Sequence, residues 1–259
     1  MLDATLLTTG TVATVRGMRP YPYLQRLDPY LQRLGYDFSE EIHWPRNVSL
    51  WVVDGVYIRT NIDVEFDNYG QSWDFTYIPA NEGWLDRETE PDEWPFFLTR
   101  MEVERRMMGR HVAQRLVWPK ARQAEKALRL RTDDLQLLTN RGRLDPAKAH
   151  RQLWKRLRSG IRVWIVNGRL VRSGFDLDFT AGGHDLVYPR YVPRGEVWID
   201  DDVAEGERPF VLIHELRERS LMAKGRSYNT AHDSANRFES ACRRELVDLD
   251  EALESVGWY

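Results

Sequence analysis

The strongest constraint on this chain is that it repeats itself. Residues 77–108, YIPANEGWLDRETEPDEWPFFLTRMEVERRMM, lie over residues 191–222, YVPRGEVWIDDDVAEGERPFVLIHELRERSLM, at an offset of 114 without a gap. Tyr77 falls on Tyr191, Pro79 on Pro193, Glu82 on Glu196, Trp84 on Trp198 and Asp86 on Asp200. Further on, Glu104-Arg105 falls on Glu218-Arg219, Ala121 on Ala235 and Glu125 on Glu239. Upstream, WVVDGVYIRTNIDVEF (51–66) lies over WIVNGRLVRSGFDLDF (164–179) after a slip of one residue. Ordered identities of this kind point to a unit of about a hundred residues, duplicated and fused. The expected organisation is an N-terminal extension (1–45), a degenerate first copy (46–130), a basic helical linker (131–160) and a second copy (161–259).

Each copy reads as the same α+β unit, a small antiparallel sheet followed by a helical pair. Asp54-Gly55 and Asn167-Gly168 sit between β-rich runs, the pattern of a two-residue hairpin. IDVEF and FDLDF alternate apolar and acidic residues, as half-buried strands do. YIPANEGWLD and YVPRGEVWID predict a further strand after a proline turn. Helices follow at about 93–110 and 115–130, and at 207–224 and 228–254, with Gly225 ending the first helix of the second pair.

Two other segments carry patterns of their own. PYLQRLD followed by PYLQRLG (22–35) puts Leu24, Leu27, Leu31 and Leu34 on one helical stripe, which Pro29 divides into two short helices forming a docking arm. In the linker, Asp145-Pro146 reads as a helix N-cap and first turn. The helix expected from there to Arg158 carries Arg151, Lys155, Arg156 and Arg158. Two readings fit this charge: a solvated linker helix, or a nucleic-acid contact within the basic segment 141–172.

Composition sets limits. With 259 residues, 42% of them hydrophobic and 12% aromatic, the chain supports a packed core. A formal net charge of −3 selects no partner. One cysteine, Cys242, forms no intrachain disulfide and reads as a small buried helix residue. The first residues lack the basic start of a secretory signal, and no apolar run approaches a membrane span. A cytoplasmic protein with no membrane partner is the expectation.

Differences between the copies mark what only one of them needs. His214 stands where the first copy has Arg100, Glu215 where it has Met101, and His232 where it has Trp118. The acids Glu218/Glu104 and Glu239/Glu125 are common to both. On a helix His214 and Glu218 share a face, as do His232 and Glu239 on the next. An antiparallel pairing turning at 223–227 sets Glu218 opposite His232 and brings His214 between His232 and Glu239. His214, Glu218, His232 and Glu239 are therefore candidate ligands for zinc or another divalent metal, with Glu215 as general base. His184 reads as a turn histidine without a role, and Asp200-Asp201-Asp202 as a strand end or cap.

The segment FVLIHELRERSLM, with the acid of the following helix, resembles the zincin-like metallopeptidases over residues 210–240. His214 matches the first histidine of H-E-x-x-H, Glu215 its base and Glu239 the distant glutamate ligand. Glu218 replaces the second histidine, so either Glu218 ligates as a carboxylate or His232 takes the lost place. The layout from YIPxxExWID to HExxER also looks like small proteins of bacteria and their phages. The resemblance implies a metal-dependent hydrolase, peptidase-like, acting on a peptide or protein. The alternative is a non-catalytic binding or assembly protein that uses the same residues structurally.

Overall fold

A computed structural model describes residues 24–26 and 48–256. Most of the 22–35 leucine stripe lies outside these residues, but Leu24–Arg26 forms strand β1. The first half continues with β2 (Ser49–Val53), α1 (Gly55–Asn61), β3 (Tyr69–Gln71), β4 (Glu82–Asp86), α2 (Trp94–Met108) and α3 (Gln114–Arg129). A connector holds α4 (Asp134–Leu138) and the small hairpin β5 (Thr139–Asn140) and β6 (Arg143–Leu144). The second half is β7 (His150–Arg156), β8 (Arg162–Val166), α5 (Gly168–Gly174), β9 (Gly182–His184), β10 (Glu196–Asp200), α6 (Arg208–Ala223), α7 (Tyr228–Arg243) and α8 (Leu249–Ser255). The fold is α+β.

The two sheets have the same strand order, β1-β2-β4-β3 and β7-β8-β10-β9. The sheets are mixed rather than antiparallel. The central pairs β2/β4 and β8/β10 run parallel, setting Trp51 beside Trp84 and Trp164 beside Trp198. A parallel pair needs a crossover, and α1 and α5 supply it. This overturns the hairpin expected at Asp54-Gly55 and Asn167-Gly168. Asp54 Oδ1 accepts the Tyr57 amide at 3.1 Å and Asn167 Oδ1 the Leu170 amide at 2.7 Å, so both residues cap helices. The glycines serve close approach and not a left-handed turn. A Cβ on Gly55 would overlap the Asp86 carboxylate, and one on Gly168 that of Asp200.

IDVEF and FDLDF form turns, not strands. Their last residues, Phe66 and Phe179, are fully buried plugs beneath Trp84 and Trp198. Each of these tryptophans is itself fully buried and donates its Nε1–H to the glutamate two residues before it, Glu82 or Glu196, at 2.8 Å. The opposite sheet faces carry the helical pairs, through Phe97, Leu98 and Met101 in the first half and Val211, Leu212 and Ile213 in the second.

The basic linker helix is not formed. Only Pro146–Ala149 makes a helical turn, a 3₁₀ one, before β7 begins. Trp154 packs on the second core and the strand pairs with β8, so strand pairing and this packing win over helix capping. The second half thus starts near residue 150, inside the expected linker, just as β1 lies inside the expected extension. The long helix expected at 228–254 breaks after Arg243, where Glu245 takes φ +56°, and Asp248 caps α8.

The halves meet through reciprocal arginines. Arg59 on α1 binds Asp86 and Glu88 of its own half and Glu207 of the other, the last at 3.1 Å. Arg172 on α5 binds Asp200 of its own half and Glu93 of the other, the last at 2.5 Å. Arg172 is 1% exposed, so its removal leaves buried Asp200 without its ion pair and Glu93 with Arg129 alone. Arg172→Ala is expected to cost about 3–5 kcal/mol. Arg87→Ala, which breaks an exposed pair with Asp54, is expected to cost less than about 1 kcal/mol. Urea denaturation midpoints of the two variants check this contrast.

Candidate metal centre

The helical hairpin α6/α7 is built to hold polar groups at close quarters. Gly225, at φ +83°, reverses the chain, and Ser227 caps α7. Ala231 and Ala235 are fully buried on α7, and side chains this small let the two helices approach. Three of the four expected ligands then converge. His232 Nδ1 lies 2.8 Å from Glu218 Oε2 and 3.3 Å from His214 Nε2, and His214 Nε2 lies 4.0 Å from Glu218 Oε2. Donors around a tetrahedral ion, each bound at about 2.0–2.2 Å, stand about 3.3–3.6 Å apart, within the span of these separations.

The fourth, Glu239, does not join them. Its Oε2 sits 2.9 Å from His214 Nδ1, on the far edge of the ring, and its Oε1 accepts from Arg243 at 2.8 Å. Glu239 orients the ligand-type histidine from behind. The seven-residue spacing put it on the right face, but one turn too deep.

Two residues with no anticipated role complete the arrangement. His184, fully buried on β9, faces Glu218 Oε1 at 3.0 Å. Its Nδ1 accepts the Leu186 amide, so its Nε2 carries the hydrogen and donates. That bond makes His184 a poor ligand, although it stands close to Glu215 and Glu218. Glu65, from the first half, faces His232 Nε2 at 3.5 Å and accepts from Asn236 at 2.6 Å. Two converging donors therefore have their opposite atom hydrogen-bonded, His214 by Glu239 and Glu218 by His184, while His232 has the exposed Glu65 nearby.

The charges reflect this packing. Burial favours neutral His214, but the Glu239 hydrogen bond and the surrounding carboxylates outweigh it and hold the ring up at about 9. His232 is raised by its bond with Glu218. Burial raises Glu218, yet the two histidine hydrogen bonds bring it down to about 2. Glu215 is pushed up to about 7 by burial. These groups line a cavity of about 440 Å³ between the halves, to which the first half contributes Arg59, Glu65 and Asp67. The acid run sits on the same wall: Arg172 holds Asp200, and Asp201 accepts the Gly168 amide. Cys242 is buried in the second core.

The corresponding place in the first half is filled by a guanidinium. Arg100 reaches Glu104 at 3.4 Å, Glu125 at 3.3 Å and Asp178 at 2.8 Å, and Arg122 also binds Asp178. Gln71 donates to Glu104 at 2.7 Å, as His184 does to Glu218. That match was the available signal for His184: a shared buried acid needs a donor at the same strand position. No protein-family model, curated protein or solved structure matches the chain.

Burial, opposed by Arg100 and Gln71, pushes Glu104 up to about 7. A carboxyl raised in the fold contributes stability that is present below its unfolded value of about 4.5 and is lost as pH climbs through about 7. Glu104→Gln is expected to flatten this decline, so that its melting temperature relative to wild type improves from pH 5 to pH 8. A thermal-unfolding series across that range is the check.

Proposed function

We propose that the second half is a divalent-metal hydrolase centre of peptidase type, with His214, His232 and Glu218 as ligands and Glu215 as general base, and that the two halves descend from one unit. The observation that carries this is the convergence of three donor atoms, two of which, on His214 and Glu218, have their far atom hydrogen-bonded. A histidine whose other nitrogen donates to a carboxylate keeps its free lone pair turned toward the ion, and second-shell bonds of this kind fix ligand orientation. Two imidazoles and one carboxylate suit zinc, with a position left for water.

Charge supports the same reading. In the first half Arg100 and Arg122 bring two fixed positive charges to Glu104, Glu125 and Asp178. In the second half His214 and Asn236 stand at those helix positions against Glu218, Glu239 and Glu65, and neither is fixed in charge. Two arginines fewer leave these carboxylates facing the titratable rings of His214 and His232, and a divalent cation would replace the protons those rings carry.

His214, His232 and Glu218 would hold a divalent ion, which when bound would supply Lewis-acid chemistry to a water and a carbonyl. Glu215 lies between His214 and Glu218 without an ion pair of its own among the described residues, and a carboxyl near 7 is matched to accepting a proton and handing it to a leaving amine. The cavity wall of Tyr188, Val187 and Val211 limits water around the reacting bond. No helix among the described residues is long and apolar enough to cross a membrane. The basic residues Arg151, Arg156 and Arg158 are exposed on and beside β7 and offer an outer surface for nucleic acid, a second proposal independent of the centre.

Zinc per chain, measured on purified protein after dialysis, should be close to one for wild type and for Arg100→Ala. It should fall to near zero for His214→Ala. Glu215→Gln should retain the ion and lose peptide hydrolysis by about 10²–10⁴-fold. Equal, negligible metal in wild type and His214→Ala, with the fold intact, defeats the enzyme reading in favour of assembly.

A further inference from the structure

The cavity between the halves keeps acid beyond what the three donors use. Among the described residues Arg59 is its one lining arginine, and Asp86, Glu88 and Glu207 already bind it. Arg172 and Arg243 stand behind the wall, each held by carboxylates on either side. Among the described residues two wall carboxylates are left without an ion pair. Asp67 takes only the Thr180 hydroxyl on Oδ2, at 2.9 Å. Glu215 has neither hydrogen bond nor ion pair among the described residues, although it is only 8% exposed.

Glu215, more than nine-tenths buried and turned to the cavity without a partner, is costly unless an incoming group compensates it, while Asp67 is half-buried with one hydroxyl as its partner. Glu215 lies on α6 beside the candidate ligands. Asp67 approaches from the first half, on the loop that also carries Glu65, and feels the fields of Arg59 and Glu239. Tyr188 and Tyr228 line the space, and aromatic faces of this kind accommodate an alkylammonium or alkylguanidinium. A neutral side chain would bring no charge to Asp67, and Arg59, the lining arginine, is already held by three other carboxylates.

We infer that the substrate carries one positive charge, the ammonium or guanidinium of a lysine- or arginine-type side chain, and that Asp67 receives it. The inference rests on the hydrolase reading for its place in a reaction, but its ligand chemistry can be tested separately. Asp67 is thereby a specificity-determining residue contributed by the half that has no metal-type donors.

The test uses butylguanidinium and its neutral isostere N-butylurea, titrated calorimetrically into the zinc-treated full chain. Metal content is measured on the same samples. Wild type is expected to bind the guanidinium about tenfold or more tightly than the urea, with a preference that weakens as salt is added. Asp67→Asn keeps the side-chain shape and an acceptor for Thr180, and should abolish the preference while zinc per chain is unchanged. Equal binding of the two probes by wild type, or a preference that survives in Asp67→Asn, overturns the inference even where zinc is bound. Absence of zinc with the guanidinium preference intact leaves the cation pocket standing and removes the hydrolase reading. Should Asp67→Asn fail to fold, wild-type discrimination between the isosteric probes and its salt dependence decide the question.

Discussion

Arginine reaching across from one half to the other is the interaction on which the rest depends. Arg172 binds Glu93, which Arg129 also binds, and Arg129 holds Glu125. Arg59 binds Glu207, which Arg243 also binds, and Arg243 holds Glu239. Each chain of charges begins on a crossover helix of one half and ends beneath the helical hairpin of the other. Buried ions this dense are tolerated because nearly every one has an opposite partner. The last link sets the chemistry: in the first half Glu125 meets Arg100, and in the second Glu239 meets His214. One network therefore terminates in a fixed cation and the other in a ring that exchanges its proton.

That difference explains how one architecture supports both a sealed and an open position. Arg100 occupies its carboxylate cage with a permanent charge and makes it a purely structural knot. In the equivalent cage His214 and His232 bring titratable ring nitrogens together, and Glu218 adds an oxygen whose neighbour is already satisfied by His184. The loops that carry Glu65 and Asp178 reach the opposite half in both cases, so each cage is finished by residues from across the interface.

The helical pairs were legible from the repeat and from Gly225 as a stop, and the spacing of His214 and Glu218 on one helix, with His232 on the next, made their meeting legible too. The sheets were legible only as strands. Asp-Gly and Asn-Gly serve hairpin turns and helix caps alike, and what decides between them is a carboxylate thirty residues away pressing on Gly55 or Gly168. FDLDF alternates because Phe179 anchors a loop while Asp178 reaches Arg100, a pattern that imitates a strand. The basic run of β7 hid its strand character behind an aspartate–proline cap. Glu65, Asp67 and His184 join the centre through tertiary packing alone, and no local spacing announces them.

The crossed halves also bear on symmetry. Two separate identical subunits arranged this way would be bound to carry the same residues in both cages, so any change toward ligation on one side would appear on the other. A single chain holding both halves is free of that constraint. One cage can remain locked by the permanent charge of Arg100, while its counterpart takes the exchangeable protons of His214 and His232 instead.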